Sequence, residues 1–174
     1  MQTNQTPTYD ASDNPTGCCP RFQPGGWDDR VLEFEDKRFA RATTRSLFHI
    51  PLDMGPAFSR TQRRIEAARA EAGDQFVVLS RDLSPWRAEH LFAVTAPVAG
   101  VPDHRLSGRF RTRVFEGPFA DQPKWLRAAA EEMRSRGETP GETWFFYTTC
   151  PKCAKAYGHN YVVAVTRIQP AATA

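Results

Sequence analysis

The stretch VFEGPFADQPKWLRAAAEEMRSRG, residues 114–137, decides how the chain is read. It opens on an apolar, β-prone run, breaks at Gly117-Pro118, and turns into a helical pattern. Trp125, Ala129 and Met133 recur on one face, flanked by Leu126 and Ala130, which predicts a helix over 123–136 with an apolar stripe toward a core. A strand over 110–116 precedes it, and strands over 144–149 and 161–168 follow, giving the order β-α-β-β.

The upstream half repeats that order. A β-branched and aromatic strand over 39–50 is ended by Pro51. Gly55-Pro56 then opens a helix with Phe58, Gln62, Ile65, Ala68 and Ala72 on one face, and Gly73 closes it. Strands over 76–80 and 91–95 follow, joined by a polar, aromatic loop carrying Asp82, Ser84, Trp86, Glu89 and His90. An offset of about 67 residues sets Phe48-His49-Ile50-Pro51 against Phe115-Glu116-Gly117-Pro118 and Phe58 against Trp125. One such unit leaves a sheet face or edge uncovered, so two are expected to pair. The predicted fold is α+β: tandem βαββ repeats related by a pseudo-twofold, with an antiparallel sheet, two helices and a central groove. The expected divisions are a flexible tail over 1–16, an extension over 17–37 docked through cysteines, a domain over 38–168 (repeats 38–96 and 104–168), and a flexible tail over 169–174.

The strand–Gly-Pro–helix run of 114–137 resembles the signature of GyrI-like domains of the SOUL/GyrI superfamily, and the likeness extends over roughly residues 38–168. The resemblance implies tandem βαββ repeats that bind drug-like, often aromatic molecules in the cleft between them. Some relatives are effector domains of transcription regulators; some stand-alone members hydrolyse cyclopropane-bearing toxins. Relatives that bind cationic drugs place a glutamate on the closing strands, whereas the last strand here, YVVAVTRI (161–168), contains no acid. With no space for a fused helix-turn-helix, the resemblance implies a stand-alone, hydrolase-like, bacterial protein; the cytoplasm is the location expected from the lack of a visible secretory signal.

Composition sets bounds on partners. In 174 residues, 40% are hydrophobic and 25% charged, which is ordinary for a globular protein with its own core. No apolar run of membrane-spanning length occurs, and the first residues lack the basic and apolar regions of a secretory signal. A net charge of +3 is too small and dispersed to argue for nucleic acid. Arg109, Arg111 and Arg113 have strand periodicity and are expected on a wetted sheet face; Glu33-Phe-Glu35-Asp36 is expected as a solvated edge. The partner expected is a hydrophobic aromatic small molecule, with no nucleic acid, no membrane and an open oligomeric state.

Four cysteines form two close pairs, Cys18-Cys19 and Cys150-Pro-Lys-Cys153. A CxxC turn aims two thiolates at one centre, and tetrahedral zinc then needs two more ligands. Cys18, Cys19, Cys150 and Cys153 are the expected set for a structural zinc, with His159 an alternative donor. CPKC could instead be a redox pair, but the 21 residues after Cys153 are too few to complete a thioredoxin fold. Buried thiols and cysteine nucleophiles are further readings.

His49 and Glu116 hold equivalent places at the two strand–helix junctions. A glutamate walled by Phe115 and Phe119 would be desolvated, as a general acid or base requires, and an imidazole near it would complement it. Trp86, Trp144 and Phe146 are expected to line a site for flat apolar ligands, and Tyr147 to supply a hydroxyl. No GxSxG or HExxH motif is present. The expected function is binding and hydrolysis of a hydrophobic aromatic molecule, with Glu116 or His49 activating water and Tyr147 polarising the leaving group. A non-enzymatic small-molecule or metal-binding module is the alternative, and a thiol redox protein using Cys150 and Cys153 the third.

Overall fold

Alternation of apolar and charged residues along Val31–Leu47 produces a strand, β1, longer than the expected one: Leu32 and Phe34 point inward while Glu33 and Glu35 face water. The computed structural model describes residues 2–170 as a mixed α/β chain of antiparallel strands and helices. After β1 come β2 (Ile50–Pro51), α1 (Met54–Ala67), β3 (Val78–Ser84), β4 (Arg87–Ala93) and β5 (Asp103–Glu116). Then follow α2 (Gln122–Ser135), β6 (Thr139–Tyr147), α3 (Pro151–Tyr157) and β7 (Tyr161–Gln169). The chain forms two units, one of the residues up to Glu35 and from Gly108 onward, the other Asp36–Ser107.

In the Asp36–Ser107 unit, β4 pairs with β1 on one side and β3 on the other, and β2 folds back on the end of β1. The segment expected as a polar loop is instead the β3–β4 hairpin, turned by Pro85-Trp86 alone. Helix α1 covers one sheet face with Ala57, Thr61 and Ile65; of the expected stripe, Ile65 is buried there and Phe58 and Ala68 pack beside it. Small side chains at 57 and 61 bring its backbone close to the sheet, while Phe58 covers the rim, 4.8 Å from the His90 ring and 4.9 Å from Phe92. The helix ends near Ala67, not Gly73, because Arg69 takes a left-handed conformation that reverses the chain.

In the other unit β7 is the central strand, paired with β5 (Glu116↔Tyr161) and β6 (Tyr147↔Val162). Helix α2 lies on one face through Trp125, Ala129 and Met133, the stripe read from the sequence, against Phe145, Val162 and Ala164. The opposite face carries Phe110, Trp144 and Phe146 and is covered by the chain's own beginning. Phe22 meets Phe146 edge-on at 5.9 Å, Trp27 lies 5.4 Å from Phe146, and Tyr9 packs on both Phe22 and Phe146. This corrects the flexible tail expected over 1–16. The Asn4 side chain imitates a peptide group against β1: its Nδ2 donates to the Glu35 carbonyl at 2.7 Å, and its Oδ1 accepts from the Glu35 N–H at 2.8 Å. Arg111 and Arg113 are not merely wetted; they pair with Asp29 and Glu138, and with Asp28 and Glu132. Most of the tail expected over 169–174 lies outside the described residues.

Under α1, His90 is fully buried between two hydroxyls, Ser80 Oγ at 2.8 Å from Nδ1 and Thr44 Oγ1 at 2.9 Å from Nε2. Burial disfavours the imidazolium and pushes its pKa down to about 4. The unfolded chain takes up this proton below the ordinary value of 6.5, the folded one only near 4. Stability is therefore full above the upper value and is lost as pH falls through that window, by on the order of 3 kcal/mol. Urea midpoints across the window should show this slope, and His90→Asn should flatten it.

Candidate metal centre and active site

The beginning of the chain meets α3 at the four cysteines. Cys150 caps the N-terminus of α3, Pro151 fills its first position, and Gly158 ends it in a left-handed conformation. Cys153 sits in the first turn, so the helix aims both thiols the same way. Cys18 and Cys19 arrive from the N-terminal segment. All four sulfurs lie within 4.8 Å of one another, with Cys18 at 3.7 Å from Cys19 and 3.9 Å from Cys150. A tetrahedral centre with metal–sulfur bonds of ~2.3 Å spaces its sulfurs by ~3.8 Å, so the set fits a thiophilic divalent ion.

Two neighbouring groups contact the sulfurs. The Cys150 N–H donates to Cys19 Sγ at 3.4 Å, and the Thr16 hydroxyl lies 3.2 Å from Cys153 Sγ. Thr16 is the main reason the Cys153 thiol is pulled down to about 7, while burial pushes Cys19 up. Four thiolates at this spacing repel one another, and a divalent cation would relieve that repulsion. Tyr157 fastens the loop, its hydroxyl donating to the Cys19 carbonyl at 2.6 Å. His159 is not in the cluster; its ring packs 4.9 Å from Tyr161.

The second site lies in the Asp36–Ser107 unit, where two hairpin tips are stitched together. The β1–β2 turn consists of Phe48 and His49, both left-handed at φ 48° and 69°. Such a turn normally uses Asn-Gly, because side chains crowd the backbone there. It is held by hydrogen bonds from the Ser46 N–H to the Trp86 carbonyl (2.8 Å) and from the His49 N–H to the Pro85 carbonyl (3.0 Å). Two contacts follow between side chains. His49 Nδ1 lies 2.8 Å from Asp82 Oδ2, and the Phe48 and Trp86 rings stand 4.9 Å apart. Asp82 orients the imidazole with Nδ1 as donor, leaving Nε2 as a proton acceptor.

The sequence pattern of the family described as bacterial hydrolase matches residues 9–168, a span that takes in both sites. The chain belongs to the bacterial hydrolase family. No curated protein matches it. Among solved structures it is similar to SAV2435, whose structure was determined bound to tetraphenylphosphonium. The two share 10% sequence identity and a TM-score of 0.50, over 82% of this chain and 94% of that one. At that identity the likeness is one of fold.

In this member of the bacterial hydrolases, the residues singled out from sequence fall into separate places. The four cysteines come together, and His49 and Trp86 share one pair of turns. Glu116 is exposed rather than walled in by Phe115 and Phe119. It lies in register with Tyr161, whereas Tyr147 shares a row with Phe115 and Val162, so the two side chains leave opposite faces of the sheet. Tyr147 packs between Phe119 and Phe145. Trp144 and Phe146, expected to face a ligand, are 1% and 6% exposed beneath the N-terminal segment. Asp82 was visible in the sequence only as one polar residue of a supposed loop. So was Glu89, which is buried on β4 with Arg81 Nε at 2.7 Å and Arg41 Nε at 3.0 Å.

Replacing the turn by the sequence that suits it should separate stability from function. The double substitution Phe48→Asn with His49→Gly should stabilise the protein by roughly 1–3 kcal/mol, raising the thermal midpoint by several degrees. A lower midpoint would mean that the Phe48–Trp86 contact outweighs the strain.

Proposed function

We propose that the protein binds a hydrophobic aromatic small molecule and hydrolyses it at the paired turns, with His49 as general base. The observation that carries this reading is the 2.8 Å contact of His49 with Asp82 beside the exposed Phe48–Trp86 pair. His49 Nε2 removes a proton from water as its oxygen attacks an ester or amide carbonyl, and Asp82 stabilises the imidazolium that forms. Collapse of the tetrahedral adduct expels the leaving group, which takes that proton back from His49. Phe48 and Trp86 hold the aromatic part of the substrate by stacking. Neither Glu116 nor Tyr147 has a part in this mechanism.

Three observations support the wider reading. The family is one of hydrolases. SAV2435, with a similar fold, was found with an aromatic, apolar ion. With β2 and α3 taken as additions to the repeat, the order β1-α1-β3-β4, then β5-α2-β6-β7, fits two copies of a βαββ unit of the GyrI-like type. The cysteine cluster is read as a structural zinc site, with Cys18, Cys19, Cys150 and Cys153 as ligands. Zinc there would fasten the N-terminal segment to α3, and its binding energy would become folding energy.

Hydrolysis of a panel of chromogenic aryl esters tests the base. His49→Gln should lower kcat/KM by 100-fold or more, on the order of what general-base catalysis contributes, and Asp82→Asn by a smaller factor. Turnover unchanged in His49→Gln would remove the assignment. With binding of tetraphenylphosphonium but no turnover by the wild-type chain, the protein is the non-enzymatic binding module. For the metal, elemental analysis of protein purified without chelator should give about one zinc per chain, with thiols protected until denaturation. Cys153→Ser should lower both zinc content and thermal midpoint. Absence of metal, with a readily reduced Cys150–Cys153 disulfide, would favour the redox reading instead.

A further inference from the structure

Among the described residues, six of the seven exposed large apolar side chains lie on the two stitched turns: Leu47, Phe48, Ile50, Leu52, Leu83 and Trp86, each 40–68% exposed. Leu83 is there because β3 shifts register between Asp82 and Ser84 and turns it outward. A small aromatic ligand held by Phe48 and Trp86 leaves Leu47, Ile50, Leu52 and Leu83 in water. A patch of this size on one tip marks a docking surface.

Charge selects the occupant. Asp36–Ser107 holds 11 Lys and Arg against 8 Asp and Glu, so the whole net charge of +3 resides in that unit and the remainder sums to zero. Arg87 is exposed beside the turns and Arg60 on α1; Arg45, also exposed there, pairs with Asp53 at 3.1 Å. A second copy docked tip to tip would set the same arginines against one another. An anionic lipid surface instead accepts both features, with apolar side chains entering below the headgroups, Trp86 at the interface and arginines on the phosphates.

We infer that the paired turns dock the protein on anionic membranes. Taken with the reading of His49 as base, on which this clause alone rests, docking delivers apolar substrates that partition into the bilayer directly to the imidazole. This departs from the expectation of no membrane partner, which rested on the lack of a long apolar run; none of the described helices is long and apolar enough to cross a membrane, and a surface-inserting tip needs no such helix.

Flotation of the full chain with phosphatidylcholine vesicles, with and without phosphatidylserine, tests the inference. The wild-type chain should float with the phosphatidylserine vesicles, less so as salt rises. Ile50→Ser with Leu52→Ser should reduce the bound fraction about tenfold, with an unchanged thermal midpoint and unchanged hydrolysis of a soluble aryl ester. Failure to float with either lipid, or equal floating by the double variant, overturns the inference. So does a wild-type dimer that the double variant dissociates while neither floats. A wild-type chain that hydrolyses the ester but floats with neither lipid loses the docking and keeps the catalytic reading. Floating without any hydrolysis does the reverse.

Discussion

Four sulfur atoms within 4.8 Å of one another are the constraint on which the unit containing the chain's beginning depends. They join a segment with little secondary structure of its own to the start of a seven-residue helix. Neither partner would hold a fixed position alone, since short helices are marginal in water. Fixing both places Phe22 and Trp27 over Phe146, which buries the second face of that unit's sheet. A single sheet with one helix layer would otherwise leave its aromatic face in water. A metal ion held by the four sulfurs, as proposed above, would act on folding through the apolar burial it organises.

In the Asp36–Ser107 unit the governing feature is strain. Phe48 and His49 occupy backbone conformations that suit glycine and asparagine, at a cost of about 1–2 kcal/mol per residue. A turn whose only task was to reverse the chain would have no need of them. The conformation has specific consequences here: it sets Phe48 on Trp86 and turns the His49 ring onto Asp82. The neighbouring hairpin supplies two backbone carbonyls that hold the turn in place. Strain kept at one tip, and held there by hydrogen bonds to the adjacent one, is the pattern expected where a side chain has been positioned for use.

Helix α2 was legible from sequence almost to the residue, because Trp125, Ala129 and Met133 share one face and Gly117-Pro118 fixes where the strand stops. The cysteine set was legible from spacing, although α3 was not: a helix of two turns has too little periodicity, and only Pro151 and Gly158 announced it. The β3–β4 hairpin was hidden because Arg81, Asp82 and Glu89 read as loop polarity. Two of them are an ion pair buried on one side of the sheet, a long-range fact that composition does not contain. The docking of residues 2–16 was hidden by their polarity; the signal was the isolated Tyr9, which packs on Phe22 and Phe146.

The choice of His49 over Glu116 as the candidate base follows from what each group needs. A carboxylate is a weak base in water and becomes an effective one only where burial raises its proton affinity. Glu116 stands at an exposed strand end, and its side chain leaves the sheet on the face opposite Tyr147. An imidazole accepts protons near neutrality without burial; it needs a fixed tautomer and a fixed direction. Asp82 supplies the first through Nδ1, and the left-handed turn supplies the second. An exposed site can therefore carry base chemistry with histidine where it could not with glutamate. Exposure has a further consequence, since the apolar part of a substrate must be desolvated by something other than a pocket. Phe48 and Trp86 provide one wall, and a lipid surface beneath the same turns would provide the rest.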